Sequence, residues 1–129
     1  MNKMLSDVAA FHECYDAGDL EGPGVPAREI YILRRKLIEE ELDEYFVAAC
    51  EGNAVEVLDA LCDLAYVLMG TVLVHGMGDV FDEAFAEVHR SNMSKFPNGV
   101  VLRRDDGKVI KPPSWSPPNL AQFVGGGVL

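Results

Sequence analysis

The sequence has few of the residues that hold small exported proteins together. Cysteine occurs three times in 129 residues, as Cys14, Cys50 and Cys62, and no two form a CxxC pair. An odd number of widely spaced cysteines excludes a disulfide framework and a cysteine zinc site. We therefore expect reduced, buried thiols in a cytoplasmic protein.

Positive charge and long apolar runs are also scarce. Lysine and arginine total 11 against 21 aspartates and glutamates, which gives a formal net charge of −10. A phosphate backbone would be repelled by most of such a surface, so we expect no nucleic-acid partner. No uninterrupted apolar run approaches the ~20 residues that a membrane span needs, and the N-terminus has no export-signal pattern. We expect no membrane partner either.

Helix-period segments alternate with Gly and Pro, and no repeat of domain-building length occurs. The pattern predicts helices over about 6–17, 27–51, 54–74 and 80–92, with Ser6 and Asn53 as N-caps and Gly52 ending the second. After Pro97, two short β-type runs flank an Asp-Gly turn. We predict one all-α domain, an antiparallel four-helix bundle (core about 6–95) with a small C-terminal β-hairpin and extended tail (about 97–129). The last residues, 124–129, should be mobile.

An acidic run on the second predicted helix, "EEELDE" at 39–44, divides between two helix faces. At 100° per residue, Glu41 and Glu44 lie within about 40° of Leu37. They therefore fall in an apolar stripe formed by Ile30, Leu33, Leu37 and Ala48. Glu39 and Asp43 point to solvent, and Glu40 lies at the edge. An inward carboxylate must be protonated, paired or bound to a metal.

The third predicted helix carries a second acidic edge. Glu56, Asp59 and Asp63 share one side of a segment that is otherwise apolar nearly all round, as a buried helix would be. Two such helices packed together would form an oxygen-rich site suited to Mg²⁺ or Mn²⁺. Acidic runs are more often solvated faces, and that alternative stays open. A di-iron centre would need Glu-x-x-His pairs, which the sequence lacks.

Basic residues are concentrated near the C-terminal end. Six of the 11 lie between positions 90 and 111, beside Ser91, Asn92 and Ser94: Arg90, Lys95, Arg103, Arg104, Lys108 and Lys111. Ammonium and guanidinium groups next to a cation-loaded acidic site would suit a polyphosphate. The alternative is a solubilising surface hairpin. The histidines, at 12, 75 and 89, have no ligand-like spacing, and we expect surface or capping roles.

Four segments together resemble the MazG-like all-α nucleoside triphosphate pyrophosphohydrolase superfamily: "EEELDE", "DALCDLAYVLMGT", "EVHRSNMSKF" and "DGKVIKPPSWSPP". The superfamily includes dimeric dUTPases and phosphoribosyl-ATP pyrophosphohydrolase. Glu41 and Glu44 match its EExxE motif, with Glu40 as the leading Glu. Asp63 matches the Asp of its ExxD motif. The Glu expected three residues earlier is Ala60, so Asp59 is our first substitute ligand and Glu56 the second.

The resemblance implies a hydrolase that converts a (deoxy)nucleoside triphosphate to the monophosphate and pyrophosphate. It implies Mg²⁺, with Mn²⁺ as the alternative, held by Glu41, Glu44, Asp63 and either Asp59 or Glu56. Glu40 or Glu44 would orient or deprotonate a water. Substrate contacts would come from Asn92 and Lys95, with Arg90, Lys108 and Lys111 added. Subunits of this kind pair, so a homodimer or homotetramer is implied. Phosphoribosyl-ATP hydrolysis and a non-catalytic helical interaction module remain the alternatives.

Overall fold

A computed structural model describes residues 1–125 and divides the chain into two compact units, Met1–Asp79 and a second that begins at Val80. The described residues are all-helical, with four α-helices, as predicted. Three lie in the first unit: α1 (Lys3–Glu13), α2 (Arg28–Cys50) and α3 (Ala54–Val74). The second unit contains α4 (Phe81–Met93) and two short 3₁₀ turns, Pro97–Gly99 and Ala121–Phe123.

Helix α1 begins earlier than the sequence pattern indicated. Asn2, not Ser6, is the N-cap, and its side-chain oxygen accepts a hydrogen bond from the Leu5 amide at 2.9 Å. Asn and Ser are both strong N-caps, so propensity alone could not separate them. The choice of Asn2 lets Leu5 and Val8 point inward, where both are fully buried.

A tight turn joins α2 to α3 and sets them side by side. Gly52 adopts a φ of 66°, which closes α2 because its amide bonds to Ala49 O while the Asn53 amide bonds to Ala48 O. The Asn53 side chain then caps α3 by accepting from the Glu56 amide at 3.1 Å. Both assignments were predicted. The turn brings the second half of α2 against the first half of α3.

The core of the first unit is small and partly polar. Its fully buried large side chains are Leu5, Val8 and Val74, and Ala48 and Ala60 are buried where α2 meets α3. Two charged or polar groups are buried with them, Arg34 and His12. The predicted stripe on α2 was wrong at Leu33, which is 52% exposed, because Arg34 takes the inward position beside it. His12 is buried, so the expected surface or capping role was also wrong.

The segment between α1 and α2 crosses the end of α3. Its Leu20 and Gly24 amides donate to the carbonyls of Val74 and His75, at 3.3 and 3.0 Å. The His75 ring nitrogen Nδ1 donates back to Gly24 O at 2.9 Å. Gly76 has a φ of 68°, and a β-carbon there would overlap the Gly22 carbonyl. The end of α3 is therefore capped by a segment distant in sequence.

The second unit folds its C-terminal segment back onto α4. Glu87 accepts from the Arg90 guanidinium at 2.6 Å and from the Asn119 amide at 2.7 Å. Ser91, which is buried, donates to the Ser116 carbonyl at 2.8 Å. These contacts give the extended segment a fixed position on the helix.

The predicted β-hairpin was wrong, because residues 1–125 contain no strand. The Asp-Gly turn is present, with Gly107 at a φ of 87°, but only one isolated antiparallel bridge forms, between Arg103 and Val109. Most of the apolar residues on either side are exposed: Val100, Val101, Leu102 and Ile110. A two-stranded ribbon without a buried face is marginal, and Pro112 cannot extend it. The mobility expected for 124–129 falls mostly outside the described residues.

The cysteines and α3 are more exposed than predicted. All three thiols are free, as expected, but they are exposed rather than buried. About one third (33%) of the most apolar stretch of α3 is buried, although its length and composition would suffice to cross a membrane. Core helices of soluble proteins share those properties, and α3 also carries Asp59 and Asp63.

Candidate active site

Three carboxylates meet where α2 and α3 pack together. Glu41, Glu44 and Asp63 each contribute one oxygen to a group in which all three atoms lie within 4.8 Å of one another. Glu41 and Glu44 are one helical turn apart, so they share a face of α2. The antiparallel neighbour α3 brings Asp63 to the same level. We call these three residues the carboxylate cluster.

Glu41 is the least solvated member of the cluster. Its Oε2 atom is buried and has no hydrogen-bond partner within residues 1–125. Burial raises the pKa of Glu41, and the nearby charges of Glu44 and Asp63 raise it further. A buried anion crowded by like charges is costly unless positive charge is supplied. This donor set fits a hard divalent cation, because each member offers a carboxylate oxygen.

The other predicted acidic residues lie outside the cluster. Glu56 and Asp59 are exposed and line an open groove of about 470 Å³ that also includes Glu44. Glu40 is exposed on α2. Ala60, where the motif expects Glu, is 3% exposed and lines the same groove. The absent carboxylate thus leaves space between α2 and α3.

A buried arginine lies two turns before the cluster on α2, and the sequence reasoning missed it. Arg34 donates to Thr71 Oγ1 at 3.1 Å and to the Val67 carbonyl at 2.8 Å. Burial lowers its pKa, while the charges of Tyr15 and Asp19 oppose that shift. The sequence does indicate that Arg34 points inward. Arg34 is seven residues before Glu41, so the two differ by only about 20° around the helix.

His12 completes this buried polar group. Its Nδ1 donates to the Asp19 carboxylate at 2.9 Å. Gly70 of α3 separates the His12 ring from the Arg34 guanidinium: a β-carbon there would lie 2.5 Å from Arg34 Nη2 and 3.1 Å from His12 Nε2. Glycine at position 70 therefore leaves room for the His12 and Arg34 side chains against α3.

The basic residues proposed as substrate contacts lie in the second unit, and several already have partners there. Arg90 is bound to Glu87 and to Ser116 Oγ at 2.7 Å. Lys95 donates to Asn92 Oδ1 at 3.1 Å, so the two predicted phosphate contacts are neighbours. Lys111 lies 4.3 Å from the centre of the Trp115 ring, and the Lys108 amide donates to Asp106.

A sequence model of the phosphoribosyl-ATP pyrophosphohydrolase family matches residues 8–92, more than half of the chain. The chain belongs to this family. No curated protein matches the chain. The family is a member of the MazG-like all-α superfamily, so the resemblance seen in the sequence is confirmed. The matched residues include the whole carboxylate cluster.

Membership in the phosphoribosyl-ATP pyrophosphohydrolase family indicates a hydrolase with pyrophosphohydrolase activity on a nucleotide. Members of the family typically depend on a metal, and the chain has an acidic cluster where a metal could bind. The departure at Ala60 lies within the matched residues. The family assignment therefore fits the carboxylate cluster while leaving its fourth ligand open.

Proposed function

We propose that the chain is a metal-dependent nucleoside triphosphate pyrophosphohydrolase. It would convert a (deoxy)nucleoside triphosphate to the monophosphate and pyrophosphate. The observation that carries the proposal is the carboxylate cluster, in which Glu41 holds a buried, unpartnered oxygen between two further carboxylates. A hydrolase acting on a nucleotide needs positive charge beside the phosphates, and a cation held by this cluster would supply it.

Glu41, Glu44 and Asp63 would hold Mg²⁺ or Mn²⁺, and either Asp59 or Glu56 would complete the ligands. When bound, such a cation supplies charge that neutralises phosphate oxygens and polarises the phosphorus under attack. Glu41 would offer its buried Oε2 atom, which has no hydrogen-bond partner within residues 1–125. Glu44 is exposed and can change rotamer as substrate enters.

A second carboxylate would handle the proton of the attacking water. The water oxygen forms a bond to the α-phosphorus, the bond from that phosphorus to the α–β bridging oxygen breaks, and pyrophosphate leaves. Glu40 or Glu44 would orient the water and accept its proton, since both are exposed next to Glu41 on α2. Exposure leaves each of them accessible to a water that enters the site.

Phosphate contacts are proposed for the residues that match the superfamily pattern. Asn92 and Lys95 are the first candidates, and their mutual hydrogen bond places an ammonium and an amide together. Lys108, Lys111 and Arg90 are added candidates. Arg90 is the weakest of these, because Glu87 and Ser116 already occupy its guanidinium.

The decisive experiment is a panel of nucleotides assayed for released pyrophosphate with and without Mg²⁺ or Mn²⁺. We expect pyrophosphate and a nucleoside monophosphate in equal amounts, only when the metal is present. The melting temperature should also rise with millimolar metal, because a ligand that binds only the folded state stabilises it. No product and no thermal shift under any of these conditions would refute the proposal.

Phosphoribosyl-ATP hydrolysis is the second candidate, favoured by the description of the matching family. It uses the same bond cleavage on a larger substrate. Including phosphoribosyl-ATP in the panel separates the two functions by their ratio of kcat/KM values.

The assembly proposed is a homodimer or homotetramer in the cytoplasm, without nucleic-acid or membrane partners. Large aliphatic side chains on α3 support it, because Val55, Leu58 and Leu61 are 76%, 64% and 45% exposed. A contiguous apolar surface of this kind usually marks a contact with another protein.

A further inference from the structure

Three aromatic side chains form a surface cluster on the first unit. Phe11 lies on α1, Tyr15 in the turn after it, and Tyr66 on α3. The Phe11 ring centre is 5.3 Å from that of Tyr15 and 5.7 Å from that of Tyr66. Each is nearly half exposed, at 44%, 49% and 44% respectively. We call these residues the aromatic cluster.

The rings of the aromatic cluster are arranged so that they can accept another ring. Phe11 meets Tyr15 at an interplanar angle of 68° and Tyr66 at 76°. Edge-to-face pairs leave some ring faces uncovered, and a planar ligand can stack there. The hydroxyl groups of Tyr15 and Tyr66 have no hydrogen-bond partner in the part of the chain described, residues 1–125. The cluster thus offers both stacking surface and two tyrosine hydroxyl groups.

The aromatic cluster is continuous with the carboxylate cluster along α3. Tyr66 is three residues after Asp63, which is a rise of about 4.5 Å and a rotation of about 60°. The ribose joins the base of a nucleotide to its α-phosphate, so the base lies close to the phosphates. A nucleotide with its phosphates at Asp63 can therefore reach Tyr66 with its base.

Leu58, Leu61 and Leu68, three of the exposed aliphatic residues of α3, point away from Asp63. The fourth, Val55, lies about 80° from Asp63 around the helix. Leu61 and Leu68 lie about 160° and 140° from Asp63 around the helix, whereas Tyr66 lies about 60° away. A second copy of the chain is the better occupant of that aliphatic face. The aromatic side is the one shared with the carboxylates, so a ligand of the active site is its better occupant.

We infer that the aromatic cluster binds the base of the nucleotide whose phosphates the carboxylate cluster positions. This inference rests on the proposed function for the location of those phosphates. Stacking accepts any base, because every base has an aromatic face, so the cluster selects for a nucleobase rather than for one particular base. The two tyrosine hydroxyls supply the contacts to polar base edges that can bias the choice.

The test measures binding without turnover. The full-length protein and its Phe11→Leu and Tyr66→Leu variants are titrated with α,β-imido nucleoside triphosphates and with inorganic tripolyphosphate, in the presence of Mg²⁺. We expect each variant to bind the nucleotides roughly 5- to 140-fold more weakly, the range for losing one base–aromatic stack. Affinity for tripolyphosphate should be unchanged.

Phe46→Leu is the matched control, because Phe46 is an exposed aromatic residue on α2 outside the cluster. It should leave both affinities unchanged. Equal losses for nucleotide and tripolyphosphate, or no loss for either, would overturn the inference. The inference would also be overturned if the variants dissociate in sedimentation and regain nucleotide affinity at high protein concentration. The aromatic cluster would then be an interface between subunits.

The outcome also separates the two proposals. If the protein binds imido nucleotides through Phe11 and Tyr66 but releases no pyrophosphate, the inferred base site is retained and the proposed function is refuted. If wild type and both variants release pyrophosphate with equal efficiency, the proposed function is retained and the inferred base site is refuted.

Discussion

At the scale of single residues, the buried oxygen of Glu41 distinguishes this proposed metal ligand from the solvent-exposed carboxylates on α2. Glu41→Gln keeps the size of the side chain and removes its charge. We expect activity to fall at least ~100-fold, because the cation loses the charged ligand whose oxygen is buried. The melting temperature without metal should stay level or rise, since the pKa of Glu41 is raised by burial and by Glu44 and Asp63.

The matched control is Glu39→Gln on the opposite face of α2. Glu39 is exposed and pairs with Arg35 at 2.7 Å, so its loss should cost well under ~1 kcal/mol and leave activity intact. Steady-state kinetics and thermal denaturation of both variants, with and without Mg²⁺, check the pair. Equal losses of activity in the two variants would remove the metal-site assignment.

Helical phase was enough to predict the carboxylates but not the arginine. Acidic residues at helical spacing predicted that Glu41, Glu44 and Asp63 come together, and they do. Glu44 is exposed, however, so the prediction that it points inward was wrong. Arg34 has nearly the phase of Glu41, yet it was not singled out from the sequence, because arginine is rarely buried. Its burial depends on Thr71 and on the absence of a side chain at Gly70. Neither contact can be read from α2 alone.

At the scale of elements, Gly70 tests how α1, α2 and α3 pack together. Gly70→Ala places a β-carbon 2.5 Å from Arg34 Nη2. Alanine in place of glycine would stabilise an isolated helix by about 1 kcal/mol. Overpacking typically costs about 1–3 kcal/mol, and Arg34 must also move away from the Val67 carbonyl. We expect a net loss of about 1–2 kcal/mol in the free energy of unfolding, measured by urea denaturation.

Gly22→Ala is the comparison for this variant, because a β-carbon at Gly22 meets no atom within 4 Å. It should leave the urea midpoint nearly unchanged. A Gly70→Ala protein as stable as wild type would show that Arg34 moves without cost, and the buried polar group would then have no packing role.

The contact between α4 and the C-terminal segment should depend on pH through Glu87. Hydrogen bonds from Arg90 and from the Asn119 amide lower the pKa of Glu87 from 4.5 to about 2. Since the folded value is depressed, the stabilisation is present above pH 4.5 and is lost as pH falls through about 2. The Asn119 amide chemical shift should titrate with a midpoint near 2.

Glu87→Gln removes the charge and should abolish that titration while leaving the α4 helix intact by circular dichroism. A wild-type midpoint near 4.5 would mean that the carboxylate does not hold the C-terminal segment in solution.

The helices were predictable to within a few residues because their caps are local. Asn53 and Gly52 lie next to the turns they close, and both were identified from sequence. The β-hairpin failed because its stability depends on a buried face, which Val101 and Leu102 do not have. A turn motif such as Asp106-Gly107 determines where the chain reverses direction. It does not determine how many residue pairs on either side form β-sheet hydrogen bonds.

At the scale of the whole molecule, the exposed aliphatic face of α3 bears on assembly. Leu58→Asp puts a charge where we propose a second copy packs. We expect sedimentation equilibrium to show a dimer or tetramer for wild type and a shift toward monomer for the variant, because an unpaired buried charge is costly.

Asn98→Asp adds the same charge at an exposed position of the second unit and should leave the assembly state unchanged. A wild-type monomer at micromolar concentration would contradict the proposed assembly. The exposed face would then need a different partner.

The segment that crosses the end of α3 also constrains the order in which the chain can fold. The amides of Leu20 and Gly24 find their acceptors about fifty residues away, at Val74 and His75. Helices form far faster than such long-range contacts, because closing a long loop carries an entropic cost. The last turn of α3 therefore matures after the rest of the helix. A contact that forms late can also open by itself, so those two amides should exchange with deuterium faster than the amides in the middle of α3.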